Sequence, residues 1–253
     1  MIVVCKSAMN EGIPCLMIEH EENQDAPVCV LYHGWGSNKN TMRFFGEILA
    51  LYGFRVIIPD APFHGERGRL DYFKKEIIQN QFWKVIMQTV GEFEGLVRVL
   101  SLSKEQKVTV IGSSMGGFSA SGIFARYPED TAHLVNLMGG FAWEKADKTF
   151  RKLDNRPPMS GEERDLLRSM DPLRLRMADD TRPVLFVHGN KDETVPIGIQ
   201  QYAYSQLLPS YSSIPEYLRF VEIPNAGHTT TLWMIEEIVG WLRGFEGTGS
   251  LDN

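Results

Sequence analysis

Cysteine is scarce in this chain, long apolar runs are missing, and basic charge is in deficit. Three cysteines in 253 residues, Cys5, Cys15 and Cys29, are too few and an odd number for a disulfide framework. They are expected as small buried apolar side chains in a reducing cytosol, with a Cys15–Cys29 bridge or a reactive thiol as the alternative. None stands in a His-rich or paired-Cys context, so no metal site is expected. The longest wholly apolar stretches are a few residues, as in Val28–Tyr32, far short of a membrane span. Residues 1–7 carry no basic stretch followed by a long apolar one, so no secretory signal is expected, and the location expected is cytoplasmic with no membrane partner. Lys and Arg number 26 against 32 Asp and Glu, a net charge of −6, which argues against a nucleic-acid partner because phosphate neutralisation needs a basic face. H-E-x-x-H, G-x-x-x-x-G-K-[ST] and G-x-G-x-x-G do not occur, so metal and nucleotide enzymes find no support and no cofactor is expected.

What remains is an ordinary globular composition, 43% hydrophobic and 23% charged. The length suits a single domain over residues 1–253. Short apolar, β-branched runs recur at 14–19, 28–32, 54–58, 108–111, 134–138, 184–187 and 218–223, each bounded by turn residues. Near-continuous apolar character is that of strands buried on both faces, as in a parallel sheet. Stretches of helical spacing lie between them, at 40–51, 82–102, 115–126, 198–208 and 230–242. Strands alternating with helices give an α/β, doubly wound, mostly parallel sheet. The first two or three strands come without helices between them, which predicts an antiparallel start.

Two regions break the rhythm. In 144–182, ten Lys/Arg and nine Asp/Glu mix with Pro157-Pro158 and Asp171-Pro172. That is too long for an ordinary connection and reads as a small helical cap inserted over one end of the sheet. The segment 244–253 is polar and Gly-rich, and reads as a flexible tail.

The most informative segment runs from Val108 to Gly117. It contains Gly112-Ser113-Ser114-Met115-Gly116, a G-x-S-x-G with Ser114 at its centre. A plain βα turn rich in Gly and Ser would look similar, so context decides: a β-branched run precedes it and a small-residue helical run follows. A serine in a sharp turn there projects its hydroxyl beyond the sheet, and Gly112 and Gly116 avoid collisions with neighbouring backbone.

A serine hydroxyl is a poor nucleophile at neutral pH and needs a base, which in turn needs an orienting acid. Asp192 lies in His188-Gly-Asn-Lys-Asp192, directly after the run 184–187, with Glu193 as the competing acid. His228 follows the run 218–223. Both therefore sit at the carboxyl ends of strands, the end at which Ser114 emerges and at which open α/β sheets bind ligands. Of the other histidines, His188 is expected beneath the acid loop, and His33 is expected to be structural. Two backbone N–H donors should face a developing oxyanion: that of Met115, after the nucleophile, and that of Trp35, in the loop His33-Gly34-Trp35-Gly36.

Taken together, His33-Gly-Trp-Gly, Pro59-Asp-Ala-Pro-Phe-His-Gly65, Gly112-Ser-Ser-Met-Gly116, His188-Gly-Asn-Lys-Asp192 and Gly227-His228 resemble the α/β-hydrolase superfamily over nearly the whole chain. The block from Asp60 through His64-Gly65-Glu-Arg-Gly68 is similar to the prolyl-oligopeptidase-like and dienelactone-hydrolase-like branch, in particular its small bacterial serine esterases. The resemblance implies a serine hydrolase with a Ser114–Asp192–His228 triad, Trp35 and Met115 as oxyanion donors, and no cofactor. Two features depart from that branch. The chain has no room for the β-propeller of prolyl oligopeptidases, and the nucleophile is serine where the dienelactone hydrolases proper use cysteine.

The function expected is hydrolysis of a small-molecule ester with a small or medium acyl group through an acyl-enzyme. Phe63, Phe141 and Trp143 are the candidate substrate-binding residues, and 144–182 is expected to cover the acyl pocket. Asp60, His64 and Arg67 are expected to order a loop beside the site. Peptidase, amidase or thioesterase activity with the same triad stands as the alternative, and a catalytically silent hydrolase-fold binding protein as the rival from another class. The sequence leaves the oligomeric state unknown.

Overall fold

A computed structural model describes residues 2–21, 26–98, 106–177 and 179–245. In chain order its elements are β1 (Val3–Asn10), β2 (Ile13–His20), β3 (Val28–Tyr32), α1 (Arg43–Leu51), β4 (Arg55–Pro59), α2 (Lys75–Arg98), β5 (Val108–Ser113), α3 (Met115–Arg126), β6 (Thr131–Leu137), α4 (Trp143–Leu153), α5 (Gly161–Ser169), α6 (Pro172–Leu175), β7 (Val184–Gly189), α7 (Gly198–Leu207), β8 (Leu218–Ile223) and α8 (Leu232–Arg243). The strands form one sheet in the order β1-β2-β4-β3-β5-β6-β7-β8. β1 and β2 pair antiparallel, as do β2 and β4, and every later pairing is parallel. The expected antiparallel start and parallel remainder are thus what the chain adopts.

Period-two alternation sorts the core onto the two faces of this sheet. In β3, Val28, Val30 and Tyr32 join one apolar cluster with α2, α3 and α7, while Cys29 and Leu31 join the other with α1 and α8. Helices on both faces leave β3, β5 and β7 buried at every position, which is why they read as unbroken apolar runs. Cys15 and Cys29 are buried, and neither Cys15 nor the half-buried Cys5 is in a disulfide. Burial, with Asp60 adding to it, pushes the Cys15 thiol up to about 12, so it is no nucleophile.

Three expectations are corrected. β1 was not expected as a strand. It is an edge strand with mostly exposed or half-buried residues, and its apolar run is short, ending at Cys5 before Lys6 and Ser7. α2 begins at Lys75 rather than at residue 82, because its first turns are polar and leave Ile77 and Ile78 only half-buried. The far end of the expected helix, at 99–102, lies outside the described residues. The expected tail does not begin at residue 244. Gly244 caps α8, and the Phe245 ring packs 4.9 Å from that of Trp241. Residues 246–253 lie outside the described residues.

The segment 144–182 carries the helices α4, α5 and α6. Ser160 and Glu163 form a capping box at the start of α5, and Asp171 caps α6 ahead of Pro172. The Asp171 carboxylate also accepts the Glu144 N–H at 2.8 Å, which pins the far end of the insertion to its beginning.

Candidate active site

Ser114 stands between β5 and α3 with φ 57° and ψ −121°, a conformation few non-glycine residues adopt. The turn is tight because its neighbours have no side chains. A Cβ on Gly112 would lie 2.0 Å from the Gly116 carbonyl oxygen, and one on Gly116 would lie 2.2 Å from that of Tyr32. The Ser114 N–H donates to the Leu137 carbonyl at 2.9 Å, anchoring the turn on β6.

His228 and Asp192 converge on this serine. His228 Nε2 lies 2.8 Å from Ser114 Oγ, and His228 Nδ1 lies 2.7 Å from Asp192 Oδ2. The loops carrying them are packed against each other. Lys191 N–H donates to the Ala226 carbonyl at 2.8 Å, and a Cβ on Gly189 would sit 2.4 Å from that same oxygen. The remaining carboxylate oxygen, Asp192 Oδ1, accepts the N–H groups of Thr194 and Val195 at 2.9 Å each. Burial pushes the Asp192 carboxyl up. The hydrogen bonds from His188, His228 and Val195 outweigh that, holding it well below the usual carboxylate range, so it is an anion at neutral pH. Of the two acids in the loop, Asp192 rather than Glu193 faces His228.

The loop after β3 closes over the serine from the other side. A Cβ on Gly34 would stand 3.3 Å from Ser114 Cβ, a tight contact that glycine avoids. Among the described residues, neither the Trp35 N–H nor the Met115 N–H donates to a backbone carbonyl. Two buried histidines fix this loop. His33 Nδ1–H donates to the Gly34 carbonyl at 2.8 Å and Nε2 accepts the Ala61 N–H at 3.0 Å. His64 Nδ1–H donates to the Pro62 carbonyl at 2.8 Å and Nε2 accepts the Gly36 N–H at 3.1 Å. Both rings thus serve as neutral staples, and burial pushes both toward that form, His33 down to about 4.

The block that holds His64 is built around Asp60, as expected of a supporting loop. Its carboxylate accepts from Lys39 Nζ at 2.9 Å, Lys39 N at 2.8 Å and Glu66 N at 3.0 Å. Arg67 bridges the Asp60 carbonyl and both oxygens of Glu92. Gly65, at φ 55°, is required because a Cβ there would lie 2.3 Å from the Asp60 carboxylate.

A cleft of about 670 Å³ opens onto Ser114 and His228. Its lining includes the aromatic rings of Trp35, Tyr72, Phe82 and Trp83, together with Phe150 and Leu153 of α4. The insertion therefore does border the site. It is tied to α2 across the cleft by Asp154, which meets Lys75 Nζ at 2.9 Å and Gln79 Nε2 at 3.1 Å.

The three residues expected to bind substrate are not among those walls. Phe141 and Trp143 are fully buried: Phe141 packs against Phe186 and Trp143 against Trp83 and Gly122, because apolar residues entering a helix beside the sheet are drawn into the core. Phe63 is 43% exposed and offers its backbone carbonyl to the Tyr72 hydroxyl instead. The true wall residues Phe82 and Phe150 were visible only as apolar positions within helical runs, a pattern shared by every core residue.

This is a Ser–His–Asp hydrogen-bond chain at the carboxyl ends of parallel strands in a doubly wound α/β sheet. A family model for the alpha/beta hydrolase fold matches residues 27–157, and the chain belongs to that family. It is 32% identical to Esterase YjfP of Escherichia coli (strain K12) over 73% of this chain and 76% of that protein. It is 28% identical to YitV of Bacillus subtilis (strain 168) over 92% of this chain and 95% of that one. Among solved structures it superposes on TT1662 from Thermus thermophilus with a TM-score of 0.79 at 20% identity, covering 96% of this chain and 98% of that one. It also superposes on 42% of an acylaminoacyl peptidase from Pyrococcus horikoshii, with a TM-score of 0.69 at 15% identity over 97% of this chain. No described helix is long and apolar enough to cross a membrane.

Proposed function

We propose that this protein is a serine hydrolase that cleaves carboxylic esters of small or medium acyl groups through an acyl-enzyme. One observation carries the reading: His228 bridges Ser114 Oγ and the Asp192 carboxylate at 2.8 and 2.7 Å. His228 Nε2 takes the Ser114 proton as Oγ attacks the ester carbonyl. Asp192 accepts from Nδ1–H, fixing the ring's tautomer and stabilising the imidazolium that forms. The N–H groups of Trp35 and Met115 receive the negative charge on the former carbonyl oxygen, each donor worth about 3 kcal/mol in such sites. The protonated His228 then delivers its proton to the leaving alcohol oxygen. Water, activated by the same ring, attacks the acyl-serine and releases the acid, restoring Ser114.

Support for an ester rather than some other acyl compound comes from the esterase named among the relatives. Support for a small or medium acyl group comes from the cleft, whose volume of about 670 Å³ is in the usual range for small-molecule sites. The reading places the protein in the cytoplasm acting on a small molecule.

The test is labelling by a fluorophosphonate probe alongside turnover of p-nitrophenyl acetate, butyrate and octanoate. Wild-type protein is expected to label and to turn over the shorter esters faster. Ser114→Ala is expected to do neither while unfolding at the wild-type temperature. An alanine variant that keeps near-wild-type turnover overturns the assignment.

A further inference from the structure

Beneath Asp192 lies a buried polar chain that the proposed reaction does not use. His188, the last but one residue of β7, Gln200 in the first turn of α7 and Asn136 in β6 all have no exposed surface. His188 Nδ1 lies 3.0 Å from Gln200 Oε1. His188 Nε2 lies 2.8 Å from the Val195 carbonyl oxygen and 3.1 Å from Asp192 Oδ2. Gln200 Nε2 donates to the Asn136 carbonyl at 3.0 Å and to Asn136 Oδ1 at 2.7 Å. Asn136 Nδ2 in turn donates to the Gly117 carbonyl at 3.1 Å and to Ser121 Oγ at 2.7 Å, while its Oδ1 accepts the Gly139 N–H at 3.1 Å.

Backbone groups at the far end of this chain fix the orientation of every member. Turning the Asn136 amide over would set its oxygen against the Gly117 carbonyl and its NH₂ against the Gly139 N–H. With Asn136 fixed, Gln200 must aim its NH₂ at two acceptors, so its oxygen must face His188 Nδ1. The ring is left with acceptors at both nitrogens. A neutral imidazole donates from only one of them. Either neutral tautomer would press a ring lone pair against an oxygen lone pair in a site no water reaches, a cost that buried polar groups in folded proteins avoid.

We propose that His188 is a positioning residue for the reaction and that it donates from both ring nitrogens. It holds the Asp192–Val195 turn under His228, and through Gln200 and Asn136 ties that turn to Gly117, in the first turn of the helix behind Ser114. The inference rests on the proposed reading of Ser114, His228 and Asp192. It explains how groups from β5, β7 and the loop after β8 keep their register across the intervening strand β6. Val195 is clasped from two directions, its N–H given to Asp192 Oδ1 and its carbonyl receiving His188 Nε2–H. A ring donating from both nitrogens is an imidazolium. Asp192 is the acid in contact with it; α7 and β6 present the neutral amides of Gln200 and Asn136, and β8 sets Glu222 opposite it in the ladder, with that carboxylate accepting from Asn190 Nδ2. The Asp192 carboxylate is therefore shared between two rings, and its hold on His228 is set partly by His188.

The test joins kinetics with ¹⁵N NMR. In imidazole-labelled wild-type protein at pH 7, one histidine is expected to show two protonated ring nitrogens. A ring with one bare nitrogen at His188, assigned by its loss in His188→Leu or His188→Gln, overturns the proposal. With p-nitrophenyl butyrate, His188→Leu is expected to lower kcat about a hundredfold, the loss typical of a reacting group displaced by an ångström, with KM changed less than threefold. His188→Gln, which can still donate to Val195, is expected to recover part of that loss. The acidic limb of the kcat/KM profile is expected to move to higher pH in both variants, since Asp192 then serves His228 alone. An unmoved limb with unchanged kcat means His188 is merely structural and overturns the proposal. Should His188→Leu fail to fold, the wild-type spectrum and the Gln variant still decide it. A wild-type protein with no turnover and no fluorophosphonate label defeats the proposed function instead, and the proton count on His188 is read regardless.

Discussion

Gly116 and Tyr32 stand so close that a single methyl group on the glycine would come within 2.2 Å of the tyrosine's carbonyl oxygen. That contact sets how deep the serine turn sits against β3, and hence how near Ser114 comes to the loop bearing Trp35. Gly116→Ala must push the two strands' ends apart. Overpacking of this kind typically costs about 1–3 kcal/mol, and here the displaced group is the proposed nucleophile. Urea unfolding is expected to show that loss together with at least a hundredfold fall in turnover. Gly240→Ala serves as the control. It lies within α8, where a Cβ meets nothing within 4 Å, and is expected to raise stability by about 0.5–1 kcal/mol.

Ser114 itself carries backbone strain, at φ 57° and ψ −121°. A side chain in such a region costs about 1–3 kcal/mol, and glycine is free of that cost. Ser114→Gly is therefore expected to unfold at a higher temperature than Ser114→Ala, although both lose turnover. Equal melting temperatures for the two variants would show that the turn is not strained. The comparison separates a cost of geometry from a cost of lost chemistry, because both variants delete the same hydroxyl.

Much of this was legible in the sequence for a physical reason. Residues that must be glycine, such as Gly112 and Gly116, and polar groups that must follow the carboxyl ends of strands, such as Asp192 and His228, leave marks at fixed spacing. The sheet was legible because strands covered on both faces cannot hide their apolar runs. The edge strand β1 escaped notice because half its surface faces water. The cleft walls escaped because Phe82 and Phe150 reach the site across tertiary contacts, and nothing local separates them from Phe141 or Trp143, which the core absorbs. Asn136 did leave a trace, a polar residue inside the apolar run 134–138 of β6, but its partner Gln200 lies 64 positions away.

The insertion's part in selectivity can be measured at Phe150. Its ring packs edge-on against that of Phe82, with centroids 6.0 Å apart, and both rings line the cleft that opens onto Ser114. Phe150→Ala removes one wall. Turnover of p-nitrophenyl octanoate is expected to rise relative to the acetate, by roughly tenfold if one to two kcal/mol of steric exclusion is relieved. Phe141→Ala, a core substitution away from the cleft, is expected to lower stability by about 3–5 kcal/mol and leave the acyl preference unchanged. If both variants shift the preference alike, Phe150 does not act through the cleft.

Acid should weaken the fold through His33 and His133. Burial pushes His33 and His133 each down to about 4 from an ordinary value of 6.5. Between those values the unfolded chain binds protons that the folded chain refuses, so stability falls as pH falls. The contribution is complete above about pH 6.5 and spent below about pH 4. For the fully buried His33 the span corresponds to about 3 kcal/mol, with less for the partly exposed His133. His33 cannot be replaced without disturbing the loop it staples. His133 can, since among the described residues its ring makes one hydrogen-bond contact, at 3.0 Å with Thr109 Oγ1, and otherwise packs against Trp241 and Phe245. His133→Phe keeps that packing and removes the titration. Melting temperatures measured from pH 7 to pH 5 are expected to drop more steeply for wild type than for His133→Phe. Parallel curves would mean that His133 takes up its proton in the folded state as readily as in the unfolded one.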